Sequence, residues 1–318
     1  MPPSIRSAAP LIVTAGLSPA WQTILQFGRL MPGEVNRATA SWHGASGKVL
    51  NVAITLGHLG HSCRAVTPLG SAAAAAAVNE FEALGIDLAV VPTAAATRSC
   101  TTLLDRSTGA TTEIVENAAS LTPSELDAFL TAYVAALGGA AVVVLSGSLP
   151  EGTPHTFYHD LLAHTRCPAI IDARGPELLA SLGRRPLLVK PNRHELARTV
   201  GHALDSDAAL LEAMQDLQQR GAEWVLVTDG GRHGHVVGPG IRFRITPLTV
   251  AHVENPIGCG DSLAAGFAAA TAAGCPPRDA IVHGWACAAA NCLTLLPGRI
   301  NPLDVTRFED LVTMESMA

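Results

Sequence analysis

Residues 122–150 read "TPSELDAFLTAYVAALGGAAVVVLSGSLP", and the fold is decided there. The stretch opens as a helix. Thr122 stands at the N-cap, Pro123 at the first helical position, and Glu125 three residues on, placed to close a capping box. Gly138-Gly139 end the pattern. "AVVVL" (141–145) follows, a short all-apolar run that suits a strand covered on both faces. Polar Ser146-Gly147-Ser148 close the unit. No charge occurs from Ala128 to Pro150, but Thr131, Tyr133, Ser146, Ser148 and the glycine pair interrupt the run. A helix, a turn and a buried strand account for it better than a membrane span of roughly 20 residues.

The same unit recurs along the chain. Further strand candidates are "LIVTA" (11–15), "RAVTPL" (64–69), "DLAVV" (87–91), "AIID" (169–172), "LLVK" (187–190) and "WVLVT" (224–228). Helical patterns lie between them. "SAAAAAAVNEFEALG" (71–85) is one, ended by Gly85; its alanines are good helix formers and carry no chemistry. Strands alternating with helices predict a doubly wound α/β sheet. Two stretches break the rhythm. Residues 22–42 and 97–116 are rich in Thr and Val and have no helix close behind. They form either a small separate sheet, a lid made of two insertions, or an antiparallel extension of the main sheet.

The bulk composition excludes several function classes. The 318 residues suffice for one large or two ordinary domains. The net charge of −6, with no basic run, argues against nucleic acid as a partner. An anionic ligand must therefore meet a local positive site. Seven cysteines without a CxxC pair suit a reduced cytoplasmic protein. The N-terminal "MPPSIRSAAPLIV" has too short an apolar run for a signal peptide. The histidines show no metal-ligand spacing, and Ser146 is not in a G-x-S-x-G elbow.

Polar residues gather after four strands: Ser146-Gly147-Ser148, Asp172, Lys190-Pro191-Asn192 and Thr228-Asp229-Gly230. In an open parallel sheet, ligands bind beyond these carboxyl ends. "NPIGCGDSLAAGF" (255–267) adds a glycine turn leading into an Ala-rich helix. The free N–H groups of a helix start, with glycines before them, make an anion cradle of Gly258, Cys259 and Gly260. Asp261 beside it is either an N-cap or a base for an attacking alcohol. "HGASGKVLNVAITLGHLG" (43–60) fails the P-loop pattern, but Gly47 lets a ligand approach the start of a helix carrying Lys48 and Asn51. Lys48 and Lys190 are the chain's only lysines. Asn192 and Glu195 are either a capping box or an amide and a carboxylate orienting hydrated Mg²⁺.

In this order, "GEVNRA" (33–38), "HGASGKVLNVA" (43–53), "TR" (97–98), "SGSLPEG" (146–152), "KPNRHEL" (190–196) and "NPIGCGDSLAAGF" resemble the PfkB (ribokinase-fold) carbohydrate kinases, nearest the 1-phosphofructokinase and tagatose-6-phosphate kinase branch. The resemblance spans nearly the whole chain. It implies a three-layer α/β/α sandwich with a small β lid. The large domain would take residues 1–21, 43–96 and 117–318, the lid 22–42 and 97–116. It further implies transfer of the γ-phosphoryl of MgATP to a sugar or sugar-phosphate hydroxyl, a homodimer formed through the lid, and no membrane partner; it also admits a monovalent cation. By position, Asp261 would be the base and Gly258, Cys259 and Gly260 the anion hole. Gln22, Gly47, Lys48, Asn51, Arg98 and Ser148 would bind substrate. Lys190, Asn192, Thr228, Gly231, Gly234 and Asn291 would bind ATP, and Glu195 the Mg²⁺ through water.

The chain also departs from the family pattern. Gln22 in "SPAWQ" replaces a sugar-binding Asp, and Thr102 stands where a basic residue is common. Cys259 replaces the usual Ala, and "TDGGRHG" is one residue longer than usual. These leave open an unphosphorylated sugar or nucleoside as acceptor, and a sugar-binding regulator with little catalysis.

Overall fold

The structure, a computed structural model, describes residues 9–70 and 72–317. Residues 1–8, at the start of the stretch weighed as a signal peptide, and Ser71, the expected start of the alanine helix, lie outside the described residues. The seven all-apolar runs are strands of one sheet: β1 (Leu11–Ala15), β4 (Cys63–Leu69), β5 (Asp87–Pro92), β8 (Ala140–Ser146), β9 (Ala169–Asp172), β10 (Leu188–Val189) and β11 (Trp224–Val227). All seven pair in parallel. Three further strands, β12 (Gly234–Gly238), β13 (Ile241–Ile245) and β14 (Met314–Ser316), continue the sheet antiparallel beyond β11. The order is β14-β13-β12-β11-β10-β9-β8-β1-β4-β5.

Side chains alternate across each strand, so a run buried on both faces feeds two cores. Ile12, Val142, Val144, Ile170 and Leu226 face one side, against α1 (Lys48–His58), α2 (Ala72–Ala83), α8 (Cys259–Ala272) and α9 (Pro277–Asn291). Val13, Val143, Leu145, Ile171 and Val225 face the other, against α3 (Pro123–Ala136), α4 (Phe157–His164), α5 (Gly175–Ser181), α6 (Arg193–Val200) and α7 (Asp207–Gln219). This is the three-layer sandwich. A last helix, α10 (Pro302–Glu309), packs on α9. The capping box expected at α3 is present, with Thr122 accepting from the Glu125 amide and Glu125 from the Thr122 amide. Small side chains let α8 and α9 press together. A Cβ at Gly284 would come within 2.7 Å of the Leu263 carbonyl oxygen.

The two Thr/Val-rich stretches form their own four-stranded sheet rather than extending the main one. It contains β2 (Ala20–Phe27), β3 (Ala40–Ser46), β6 (Ser99–Asp105) and β7 (Thr111–Val115), in the order β3-β2-β6-β7. The strands overrun the expected insertion at both ends: β2 begins at Ala20 and β3 runs on to Ser46. One residue separates β3 from α1. Gly47 has φ 89°, and a Cβ there would lie 2.8 Å from the Ser18 carbonyl oxygen, so only glycine fits this joint.

The chain runs outward from β1 to β4 and β5 on one side, and from β8 to β11 on the other. The β1/β8 boundary is therefore the topological switch point, where a crevice opens at the carboxyl ends. The lid strands leave from this edge, directly after β1.

Candidate active site

A cavity of about 1070 Å³ lies over that edge, between the carboxyl ends of the strands and the lid. Its floor is made by the starts of α1, α6 and α8. Gly258 is the N-cap of α8, in a left-handed conformation at φ 86°, ψ −2°. The first intrahelical bond runs from the Ser262 amide to the Gly258 carbonyl at 2.9 Å, so the amides of Cys259, Gly260 and Asp261 have no helical carbonyl to bond. Asp261 is thus the third helical residue and not the N-cap. Its side chain points across to α1, where Asn51 Nδ2 donates to its Oδ2 at 2.7 Å. Ser46 Oγ in turn donates to Asn51 Oδ1 at 3.0 Å.

The two lysines converge. Lys48 Nζ donates to Asp172 Oδ1 at 2.8 Å and to Glu195 Oε1 at 2.9 Å. Lys190 Nζ stands 3.1 Å from Asp172 Oδ2, an ion contact rather than an aligned hydrogen bond. The Lys190 ammonium also abuts the cradle: a Cβ at Gly260 would lie 3.1 Å from it. Burial alone would push the Asp172 carboxyl up, but Lys190 and Lys48 outweigh it and hold Asp172 below its ordinary range. Burial would likewise lower Lys48, yet Asp172, Glu195 and Asp261 together raise it. Asp261 goes the other way. Burial, reinforced by the negative Asp172, pushes its carboxyl up to about 7, against the pull of Lys48, Asn51 and Lys190. A carboxylate poised near neutrality, only 7% exposed and opening on a cavity, can take a proton from a bound alcohol.

Asn192 and Glu195 do close a capping box on α6: the Glu195 amide donates to Asn192 Oδ1 at 2.8 Å, and the Asn192 amide to Glu195 Oε2 at 2.9 Å. Both residues also line the cavity. One oxygen of Glu195 is thus held by Lys48 and the other by Asn192. That suits contact with a hydrated Mg²⁺ through water. Among the described residues there is no cluster of three or more His, Cys, Asp or Glu that could cage a metal.

Gln22, Gly47, Arg98, Ser148, Thr228 and Gly231 also line the cavity. Two expected ATP contacts do not. Gly234 lies within β12 against the Trp285 ring, where a Cβ would clash. Asn291 is fully buried and works as a brace, donating to the Ile257 carbonyl at 2.8 Å and accepting from the Gly298 amide at 2.8 Å and from Ser262 Oγ at 3.1 Å. It shapes the cradle loop from behind. Arg98 is already employed: its guanidinium donates to the carbonyls of Ser18, Pro19 and Glu116, tying the end of β7 to the β1–β2 connection. Gln22 Nε2 donates to Thr102 Oγ1 at 2.8 Å, so the two residues that depart from the family pattern are partners. Asp172, read above only as the polar end of a strand, is the charge on which both lysines depend. Nothing near Asp172 in the sequence marks this role, because both lysines reach it only through the fold.

A sequence profile of the pfkB family of carbohydrate kinases matches residues 20–302. The chain belongs to that family. This kinase is 32% identical over 265 residues to a 1-phosphofructokinase of Xanthomonas campestris, an alignment covering 81% of this chain and 83% of that protein. Solved structures share the fold. A Thermotoga maritima protein named possible 1-phosphofructokinase superposes with TM-score 0.88 at 20% identity, covering 97% of this chain and all of that one. Phosphofructokinase-2 of Escherichia coli in complex with substrates and products gives 0.85 at 24% identity, with 95% and 99% covered. The kinase is a phosphotransferase acting on an alcohol group. Among the described residues no helix is long and apolar enough to cross a membrane.

Proposed function

We propose that this kinase transfers the γ-phosphoryl group of MgATP to a hydroxyl of a sugar phosphate, as a 1-phosphofructokinase does. The observation that carries the reading is Asp261, a buried carboxyl pushed up to about 7 beside the open amides of α8. ATP would lie along Lys190, Asn192, Thr228 and Gly231, and the acceptor between α1 and the lid. Asp261 takes the hydroxyl proton as the oxygen attacks the γ-phosphorus and ADP leaves. The amides of Cys259 and Gly260, with Lys190 behind them, meet the negative charge that builds on the phosphoryl oxygens. Asn51 holds the Asp261 carboxylate in line. Mg²⁺, held by the phosphates and by water bonded to Glu195, would neutralise charge between the β- and γ-phosphates. A monovalent cation belongs to the same proposal; phosphofructokinase-2 of Escherichia coli has been solved in complex with potassium. The lid, whose β7 leaves Ile114 and Val115 exposed, would pair two subunits.

A second reading changes only the acceptor, to an unphosphorylated sugar or a nucleoside. Thr102, where a basic residue is common, and an Arg98 already bonded to three carbonyls favour it, since they leave fewer uncommitted cationic donors for a phosphate at the lid. ADP formation against a panel of phosphorylated and free sugars tests both readings. Turnover with sugar phosphates supports the first and turnover with free sugars alone the second. Binding without ADP formation for any of them would make the protein a sugar-binding regulator and end the kinase proposal.

A further inference from the structure

Cys259 and Cys292 meet at the phosphate cradle. Cys259 is the first residue of α8, and Cys292 caps the end of α9. Their sulfurs are 3.3 Å apart, and both line the cavity, within reach of a small solute entering it. Asn291 Nδ2 approaches Cys259 Sγ at 3.4 Å, and the Glu254 amide donates to the Cys292 carbonyl at 2.8 Å. The loop entering the cradle and the end of α9 are therefore fastened together around the two thiols.

We propose that Cys259 and Cys292 are a redox-active dithiol, a modification site that a hydroperoxide converts to a disulfide and that switches the cradle off. The effect on turnover rests on the kinase reading; the disulfide itself does not. Either sulfur can donate to the other; with the Cys259 S–H donating, the Cys292 thiol is lowered and Cys259 raised, and Cys292 is then the attacking thiolate. Its sulfur attacks one oxygen of hydrogen peroxide. The S–O bond forms, the O–O bond breaks, and hydroxide leaves and takes a proton to become water. Cys259, giving its proton to water, then attacks the Cys292 sulfur. The S–S bond forms, the S–O bond breaks, and a second water leaves. Two thiols are oxidised and one peroxide is reduced to two waters.

The other cysteines lack this setting. Burial pushes the Cys63 thiol up to about 12 and also raises Cys287, Cys100 is buried in the lid, and among the described residues Cys167 and Cys275 have no thiol partner. Closing the gap to a bond of about 2.05 Å draws the first residue of α8 toward α9. The Cys259 and Gly260 amides move with it. A displacement of about 1 Å at a positioning group can cost about 100-fold in rate.

The test treats the reduced kinase with hydrogen peroxide and reads two quantities, the tryptic peptides and the rate of ADP formation. Cleavage at Arg278 puts Cys259 and Cys292 on different peptides, and fragmentation distinguishes them from Cys275 and Cys287. The expected result is a Cys259–Cys292 linked peptide whose yield tracks a loss of turnover of about tenfold or more. Dithiothreitol should restore the rate, MgATP in the cavity should slow the reaction, and Cys292→Ala should start active and keep its rate under peroxide. Absence of the linked peptide in the wild-type protein overturns the proposal. So does a linked protein that turns over at the full rate, or a Cys292→Ala protein that peroxide inactivates equally. If the reduced protein forms no ADP with any sugar, the kinase reading fails by itself, while the peptide map still reports on the dithiol.

Discussion

The two ends of the cavity are built differently. At the floor, each lysine and carboxylate has a fixed side-chain partner. Asp172 binds both lysines, Glu195 binds Lys48, and Asn51 fixes Asp261, all from the starts of helices and the ends of strands. At the lid, charge is sparser: Gln22 bonds Thr102, and Arg98 bonds three carbonyls and faces Glu113. Transfer of a phosphoryl group makes the same demand whatever the acceptor, so its apparatus sits on the rigid sheet. In the proposed function, recognition of the acceptor falls to a separate sheet reached through two insertions. The contrast predicts that floor substitutions strike turnover and folding, while lid substitutions strike acceptor affinity.

The most severe test is Asp261→Asn. Turnover should fall by about 10²–10⁴-fold while nucleotide binding, read by calorimetry, persists. Normal turnover would remove the floor's claim to the chemistry. The same variant has a second reading. Folded Asp261 keeps its proton up to about pH 7, whereas the unfolded residue loses it near the ordinary 3.8, so ionising it weakens the fold as pH rises between the two. Asp261→Asn should therefore be at least as stable as the wild type at pH 8, a trade of stability for reactivity. Asp172→Ala is next. It strands the buried Lys190 and leaves Lys48 only Glu195, and should cost about 3–5 kcal/mol in denaturant unfolding; a loss below 1 kcal/mol would show that the floor network is not interlocked.

The pH profile is a gentler probe. Only ionised Asp261 accepts a proton, so kcat/KM should fall on the acid side below about pH 7, tenfold for each further pH unit. A limb near pH 4 would mean the carboxylate is not strained by burial. Arg98→Met should have the smallest effect on turnover. It should raise KM for a sugar phosphate about tenfold, the value of one charged hydrogen bond, and leave KM for ATP unchanged. An equal rise for a free sugar would assign Arg98 to holding the lid rather than to the acceptor.

Most of the sheet was legible because strands buried on both faces must be apolar throughout, and "AVVVL" or "AIID" admits little else. The antiparallel strands β12 and β13 were not. "GHVVG" holds glycines at both ends and a histidine, and "IRFRI" alternates Arg with apolar residues, so neither is the all-apolar run of a strand buried on both faces. The cradle was legible because its glycines and Asp261 are consecutive. Asp172 was not, since its meaning comes from lysines 124 residues before it and 18 after it. Gly234 and Asn291 show the converse, since neither lines the cavity. Both stand near nucleotide-side motifs in the sequence, yet close packing against Trp285 and bracing of the Ile257 loop explain them.

Gly47 is the single residue between the return strand of the lid and the first turn of α1. Lys48 and Asn51 ride on that turn, one gripping Asp172 and the other Asp261. On the proposed mechanism, the lid is one arm of a lever whose other arm ends at the reacting centre. An acceptor that draws the lid down would, through this pivot, also tune the alignment of the proton acceptor, so that arrival of the right molecule is felt where the bond is made.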